Sequence, residues 1–220
     1  LNCAWCANPE SNKAVPQIGL FREKCALCKK CADVCPHGEY FVSRGDIDWT
    51  HCTGCLKCVD ACPYEARIAY GYRTTAGIVL EKILRDRVFY QNSNGGVTLS
   101  GGEMSMQPDF AKAVLALCRM EGIHTAVETS GFCSWSSFER IIAHVDQLLF
   151  DFKCMDSKKH LLYTGVDNHV ILENACRAAR VVQDMTVRWP VIPGVNDTDE
   201  NAESMAAFLL KHMPGVKRVD

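Results

Sequence analysis

No stretch of 18 or more consecutive apolar residues occurs in this 220-residue sequence, so no segment has the length and hydropathy of a transmembrane helix. The pattern of a secretory signal peptide is missing as well. Excess positive charge is absent: 24 Lys and Arg stand against 26 Asp and Glu, a formal net charge of −2. That balance argues against a whole-protein nucleic-acid footprint. There is no initiating Met. The chain opens on Leu1, with Cys3 and Cys6 following at once, which reads as a cut at the N-terminus. An apolar fraction of 48% and a charged fraction of 23% suit a globular core and argue against a disordered tail. Cysteine is in surplus. There are 14, eight of them between Cys25 and Cys62 and the other six thinly spread.

Composition divides the chain into three zones. Residues 1–12 carry Cys3 and Cys6, and residues 13–70 hold the clustered cysteines with Pro and Gly punctuation. Residues 71–220 alternate strand-like and helix-like segments. Strands are expected at 97–100, 124–129, 147–152 and 185–192, with another beginning at 216–220. The 147–152 run is nearly all apolar, as for a strand covered on both faces. Helices are expected at 109–121 and 135–143, and over 158–180 in two pieces broken around 165–168. A further helix is expected to follow a Thr198 cap. Phe110, Ala113, Val114, Leu117 and Cys118 share one helical face, which makes Cys118 a core residue. Such alternation predicts an α/β fold with a parallel sheet and helices outside it. Ending at Asp220 inside an element suggests a cut at the C-terminus too.

Cys25, Cys28, Cys31 and Cys35 are spaced C-x2-C-x2-C-x3-C and followed by Pro36. Cys52, Cys55, Cys58 and Cys62 repeat this before Pro63. This is the bacterial ferredoxin run, in which the fourth cysteine serves the other cluster. One [4Fe-4S] cluster then takes Cys25, Cys28, Cys31 and Cys62, and the other takes Cys52, Cys55, Cys58 and Cys35. The alternatives are weaker. One tetrahedral zinc ion cannot easily use four ligands so close in sequence, and disulfides call for an oxidising compartment.

Around Cys3 and Cys6 the sequence reads LNCAWCANPES. This resembles the C-x3-C-x2-C motif of the glycyl radical enzyme activating enzymes, members of the radical S-adenosylmethionine (SAM) family. The second and third cysteines of that motif are present, and the first would lie before Leu1. The resemblance runs on in order through GGVTLSGGE (95–103), ETSGF (128–132), FDFK (150–153), YTGVDN (163–168) and VRWPVIPGVND (187–197). Met104 stands where the family has proline after GGE.

The resemblance implies a partial TIM-like (β/α)6 barrel, interrupted by a ferredoxin-like insertion that holds two clusters. It implies reductive cleavage of SAM to a 5′-deoxyadenosyl radical, which makes a glycyl radical on a partner enzyme. It assigns the SAM-ligating cluster to Cys3 and Cys6. The cofactor contacts fall to Trp5, Ala7, Ser100, Gly101, Gly102, Glu103, Glu128, Thr129, Asp151, Phe152, Lys153 and Arg188. Asp151 and Lys153 take catalytic roles beside Cys3 and Cys6. Three [4Fe-4S] clusters, a monovalent cation near SAM, a flavodoxin or ferredoxin donor and an anaerobic cytoplasm complete the expectation. By residue type alone, Asp151 and Lys153 can equally be a structural ion pair, and Arg188 a salt bridge at the barrel rim. Two rival functions are a radical SAM enzyme of small molecules or peptides, and an electron-transfer polyferredoxin.

Overall fold

The computed structural model describes residues 1–38 and 49–220. Among them the chain forms two compact units, Glu10–Arg73 and Leu1–Pro9 with Thr74–Asp220.

In the first unit, β1 (Gln17–Leu20) and β2 (Arg67–Tyr70) pair antiparallel, with Gln17 opposite Tyr70 and Leu20 opposite Arg67. Two one-turn helices, α1 (Lys30–Asp33) and α2 (Lys57–Asp60), lie between them in sequence and pack together. The cysteine runs repeat in backbone as well as in sequence. The residue before each second cysteine is left-handed, Leu27 at φ +55° and Gly54 at φ +67°. So is the residue after it, Lys29 at φ +61° and Leu56 at φ +63°. Left-handed backbone is costly for residues with a Cβ, so three such residues in matched places mark a loop whose amides must turn inward. Gly54 has a further reason to be glycine, since a Cβ there would stand 2.9 Å from Pro16 O.

The second unit opens with α3 (Ala76–Leu84) and α4 (Arg87–Ser93). Thr75 Oγ1 caps α3 by accepting from Ile78 N–H, and left-handed Asn94 ends α4. Neither helix is anticipated from the sequence. The alternation follows with β3 (Gly96–Leu99), α5 (Pro108–Met120), β4 (His124–Thr129) and α6 (Trp135–Ile142). Next come β5 (Gln147–Asp151), α7 (Ser157–Thr164), α8 (His169–Ala178), β6 (Asp184–Arg188), α9 (Asp199–His212) and β7 (Arg218–Val219). Ser134, Asp156 and Thr198 side chains cap α6, α7 and α9.

The strands form one parallel sheet in the order β3-β4-β5-β6-β7. Parallel neighbours joined in sequence by helices form an α/β arc of the kind that builds a β/α barrel. Its core joins Val127, Leu148, Phe150 and Val187 of the strands to Leu115, Phe138, Ile141 and Ile171 of the helices, all at most 2% exposed. Cys118 is fully buried on the inner face of α5.

Two strands depart from expectation. β5 alternates: Leu148 and Phe150 are buried, while Gln147, Leu149 and Asp151 are half-open. Its second face is therefore not covered like the first. β6 ends at Arg188 rather than continuing to 192. Pro190 has no N–H to give a neighbouring strand, and the ladder closes just before it, with Trp189 N–H on Asp220 O at 2.7 Å.

Candidate active site

The Cys3–Cys6 segment is fastened to the end of α7. Asn2 N–H donates to Thr164 O and Ala4 N–H to Tyr163 O, both at 2.9 Å. The Trp5 and Tyr163 rings meet at 6.3 Å between centroids. Cys6 N–H donates to Cys3 O at 3.0 Å, which makes the C-x2-C a tight turn. The YTG motif, singled out in the sequence without a role, is thus the anchor of this loop. Burial pushes the Cys3 thiol up, the charge of Lys153 pulls it down, and Cys6 and Asp151 add to the rise. Cys3 therefore lies close enough to the D-x-K element, about 150 residues away in sequence, to feel its charges. Ala7 is exposed beside the two cysteines.

At the C-terminal ends of β3 to β6 the predicted polar residues form one chain of contacts. Ser100 donates to Glu128, Glu128 pairs with Arg188 at 2.6 Å, and Arg188 approaches Asp151 at 3.9 Å. Asp151 pairs with Lys153 at 2.7 Å. The register that sets Asp151 opposite Arg188 brings their side chains to the same face. Lys153 and Asp151 are only 14% and 21% exposed, so their charges act in a partly desolvated site where electrostatic interactions are stronger than in water. Phe152 between them is turned away. Its ring lies in the core between Phe150 and Phe208, leaving only its backbone toward the site. Gly101, at φ +106°, has nothing within 4 Å of where a Cβ would be, so a ligand can approach its backbone closely.

Glu103 is a clamp between loops. Its carboxylate accepts from Thr129 Oγ1 at 2.6 Å, from Ser130 N–H at 3.0 Å and from Ser130 Oγ at 2.6 Å. The glycine turn after β3 is thereby tied to the ETSGF turn after β4. A Glu103→Gln protein should lose about 1–3 kcal/mol, because an NH2 group replaces one of the two oxygens that accept from Thr129 and Ser130. Thermal melting checks this, with a matching loss of SAM affinity expected as the turn loosens. His160 proves to be a core residue at 1% exposure, its Nδ1 2.7 Å from Val166 O and its pKa lowered by burial.

In the Glu10–Arg73 unit, burial and the thiols of Cys35, Cys31 and Cys52 push Cys58 up to about 11, against the pull of Arg67. Cys58 of the second run therefore lies near both Cys31 and Cys35 of the first. Cys62 is driven up by burial, but the N–H groups of Tyr64, Arg67 and Ala66 and the Arg67 charge outweigh it, so its pKa is lowered. His37 N–H points to Cys35 Sγ at 3.4 Å. Inward amides and a buried Arg67 give thiolates the partners that cluster ligands need. Among the described residues, no three His, Cys, Asp or Glu side chains close on a point as they would around a single metal ion. A cubane holds its thiolates further apart than one ion does.

Comparison with known proteins bears on the same residues. A family profile described as "Radical SAM superfamily" matches residues 51–206, and one described as "4Fe-4S dicluster domain" matches residues 18–63. The chain belongs to the radical SAM superfamily. Among its relatives, the trans-4-hydroxy-L-proline dehydratase activating enzyme of Clostridioides difficile is 39% identical over 214 residues, 95% of this chain and 71% of that protein. The isethionate sulfite-lyase activating enzyme of Oleidesulfovibrio alaskensis is 41% identical over 217 residues, 94% of this chain and 70% of that one. A crystallised domain of the pyruvate-formate lyase-activating enzyme from Bacteroides vulgatus superposes with a TM-score of 0.53 at 34% identity, covering 57% of this chain and 78% of that one. This radical SAM protein is therefore an enzyme of SAM and iron–sulfur chemistry. No helix among the described residues is long and apolar enough to cross a membrane.

Proposed function

We propose that this radical SAM enzyme installs a glycyl radical on a partner enzyme. The observation that carries the site assignment is the anchoring of the Cys3–Cys6 turn by α7, with Cys3 near Asp151 and Lys153. Similarity to activating enzymes of a dehydratase and a lyase supports the choice of partner. When bound, the cluster and SAM supply one-electron reductive cleavage and hydrogen-atom abstraction. Cys3 and Cys6 hold that cluster. Ser100, Gly101 and Gly102 present backbone to the SAM amino group, and Glu103 holds their turn in place. Lys153 offers its ammonium to SAM, with Asp151 fixing it, while Glu128, Thr129 and Arg188 border the same space.

Residues 1–12 and 71–220 belong to the radical SAM core, a partial (β/α)6 barrel. Residues 13–70 form the ferredoxin-like insertion. There Cys25, Cys28, Cys31 and Cys62 hold one cluster, and Cys52, Cys55, Cys58 and Cys35 the other. These two clusters relay electrons from a reduced flavodoxin or ferredoxin in an anaerobic cytoplasm.

Anaerobic reconstitution of the full-length protein tests this. The expected result is about 12 irons per chain, SAM cleavage under reduction and a glycyl radical signal by electron paramagnetic resonance (EPR) on the partner encoded beside it. SAM cleavage without a radical on any glycyl radical enzyme would favour a small-molecule or peptide substrate. Absence of SAM cleavage would favour a polyferredoxin.

A further inference from the structure

Asn168, Asn174, Asn196 and Asn201 are each at most 7% exposed. A buried amide is costly unless its donors and acceptor are satisfied. All four bond to backbone in the loops that leave the strand ends. Asn174 Nδ2 donates to Gly131 O at 2.8 Å and to Cys133 O at 2.9 Å, which holds the ETSGF turn.

The other three converge on three consecutive residues, 153–155. Asn196 Nδ2 donates to Lys153 O at 2.5 Å and to Pro190 O at 2.9 Å, and its Oδ1 accepts from Ile192 N–H at 2.6 Å. Asn168 Nδ2 donates to Cys154 O at 3.1 Å and to Met155 O at 2.8 Å. Asn201 Oδ1 accepts from Met155 N–H at 2.8 Å, and its Nδ2 donates to Asn196 O at 3.1 Å. These asparagines come from three places: the loop after β6, the N-cap of α8 and the first turn of α9. Three elements thus clamp one short stretch of main chain, and that stretch begins at the residue whose ammonium pairs with Asp151.

We propose that Asn168, Asn196 and Asn201 are positioning residues that fix the backbone of Lys153, and through it the ammonium that meets SAM. A lysine side chain is long and rotatable, so its charge is placed only as well as its pivot is held. Asn196 is the central member, because it alone touches Lys153 and also ties the β5 exit to the β6 exit. The inference rests on the proposed role of Lys153 in SAM binding.

The test is a double-mutant cycle on the reconstituted full-length enzyme. SAM affinity is read from the change in the EPR signal of the reduced cluster as SAM is added. Asn196→Asp keeps the shape and the acceptor but turns an oxygen toward Lys153 O. Asn196→Asp and Lys153→Ala should each weaken SAM binding about tenfold, and the double variant should be no weaker than Lys153→Ala alone. Additive losses, or an unchanged affinity in Asn196→Asp, would overturn the proposal whatever happens to the melting temperature. Should Asn196→Asp fail to fold, Asn168→Asp goes through the same cycle under the same criteria, since it loses both donors to Cys154 O and Met155 O. A wild-type enzyme that binds no SAM would remove the underlying role of Lys153, and this inference with it.

Discussion

A Cys6→Ala enzyme is expected to lose SAM cleavage entirely while keeping most of its iron. Cys6 and Cys3 form one tight turn, fastened to Tyr163 and Thr164 in the Thr74–Asp220 part of the chain. The eight ferredoxin-type cysteines belong to the other compact unit. On the proposed assignment, removing one thiolate from the turn takes away a ligand of the SAM-binding cluster and leaves the two relay clusters with full ligand sets. Reconstituted iron should fall from about 12 to about 8 per chain. The visible absorbance of the relay clusters should persist, with neither SAM cleavage nor a glycyl radical. Cys118→Ala is the control: its thiol is fully buried on α5, so its loss should alter stability alone. Retention of SAM cleavage in Cys6→Ala would contradict the assignment of this turn as the catalytic cluster site.

A large stability loss is expected at Gly131. A Cβ there would lie 2.3 Å from Phe150 Cζ and 2.6 Å from Cε2, far inside contact distance. Phe150 cannot easily give way. It is 0% exposed and held edge-on by Phe138 at 6.1 Å and Phe152 at 5.8 Å. Gly131 also sits at φ +68°, which costs about 1–3 kcal/mol for a residue with a Cβ. Overpacking adds about 1–3 kcal/mol. Gly131→Ala should therefore lose about 2–6 kcal/mol, or roughly 4–24 °C in melting temperature. Gly101→Ala separates the two causes, because Gly101 shares the positive φ but has nothing within 4 Å of its Cβ position. It should lose only the backbone part, about 1–3 kcal/mol, while also losing SAM affinity. Equal melting losses at both positions would show that the Phe150 contact is not the dominant cause.

The parts read most directly from sequence are those set by short-range spacing. The ferredoxin runs need only a few residues to present their thiolates, and the matched left-handed positions 27, 29, 54 and 56 show the same local geometry twice. The strand at His124–Thr129 and the break between α7 and α8 also follow from local patterns. Helices α3 and α4 passed unread, although Thr75 and Asn94 carry ordinary start and stop signals. Part of the reason is that their buried face is narrow, with only Ile83 fully buried. The second face of β5 was misjudged because an apolar run reports hydropathy and not which neighbours cover it.

The sequence by itself determined the chemistry: cysteines at cluster spacing, a glycine turn, an acid and a lysine two residues apart, and the order of strands and helices that sets them on a parallel sheet. Tertiary structure decided what each group touches. It carried Cys3 toward Asp151 and Lys153, turned Glu103 onto Thr129 and Ser130, and sent Phe152 into the core. It also brought three asparagines from three elements onto residues 153–155. Periodicity and spacing encode local conformation and burial. A hydrogen bond between residues 43 apart, as from Asn196 to Lys153, exists only once strands and loops have packed.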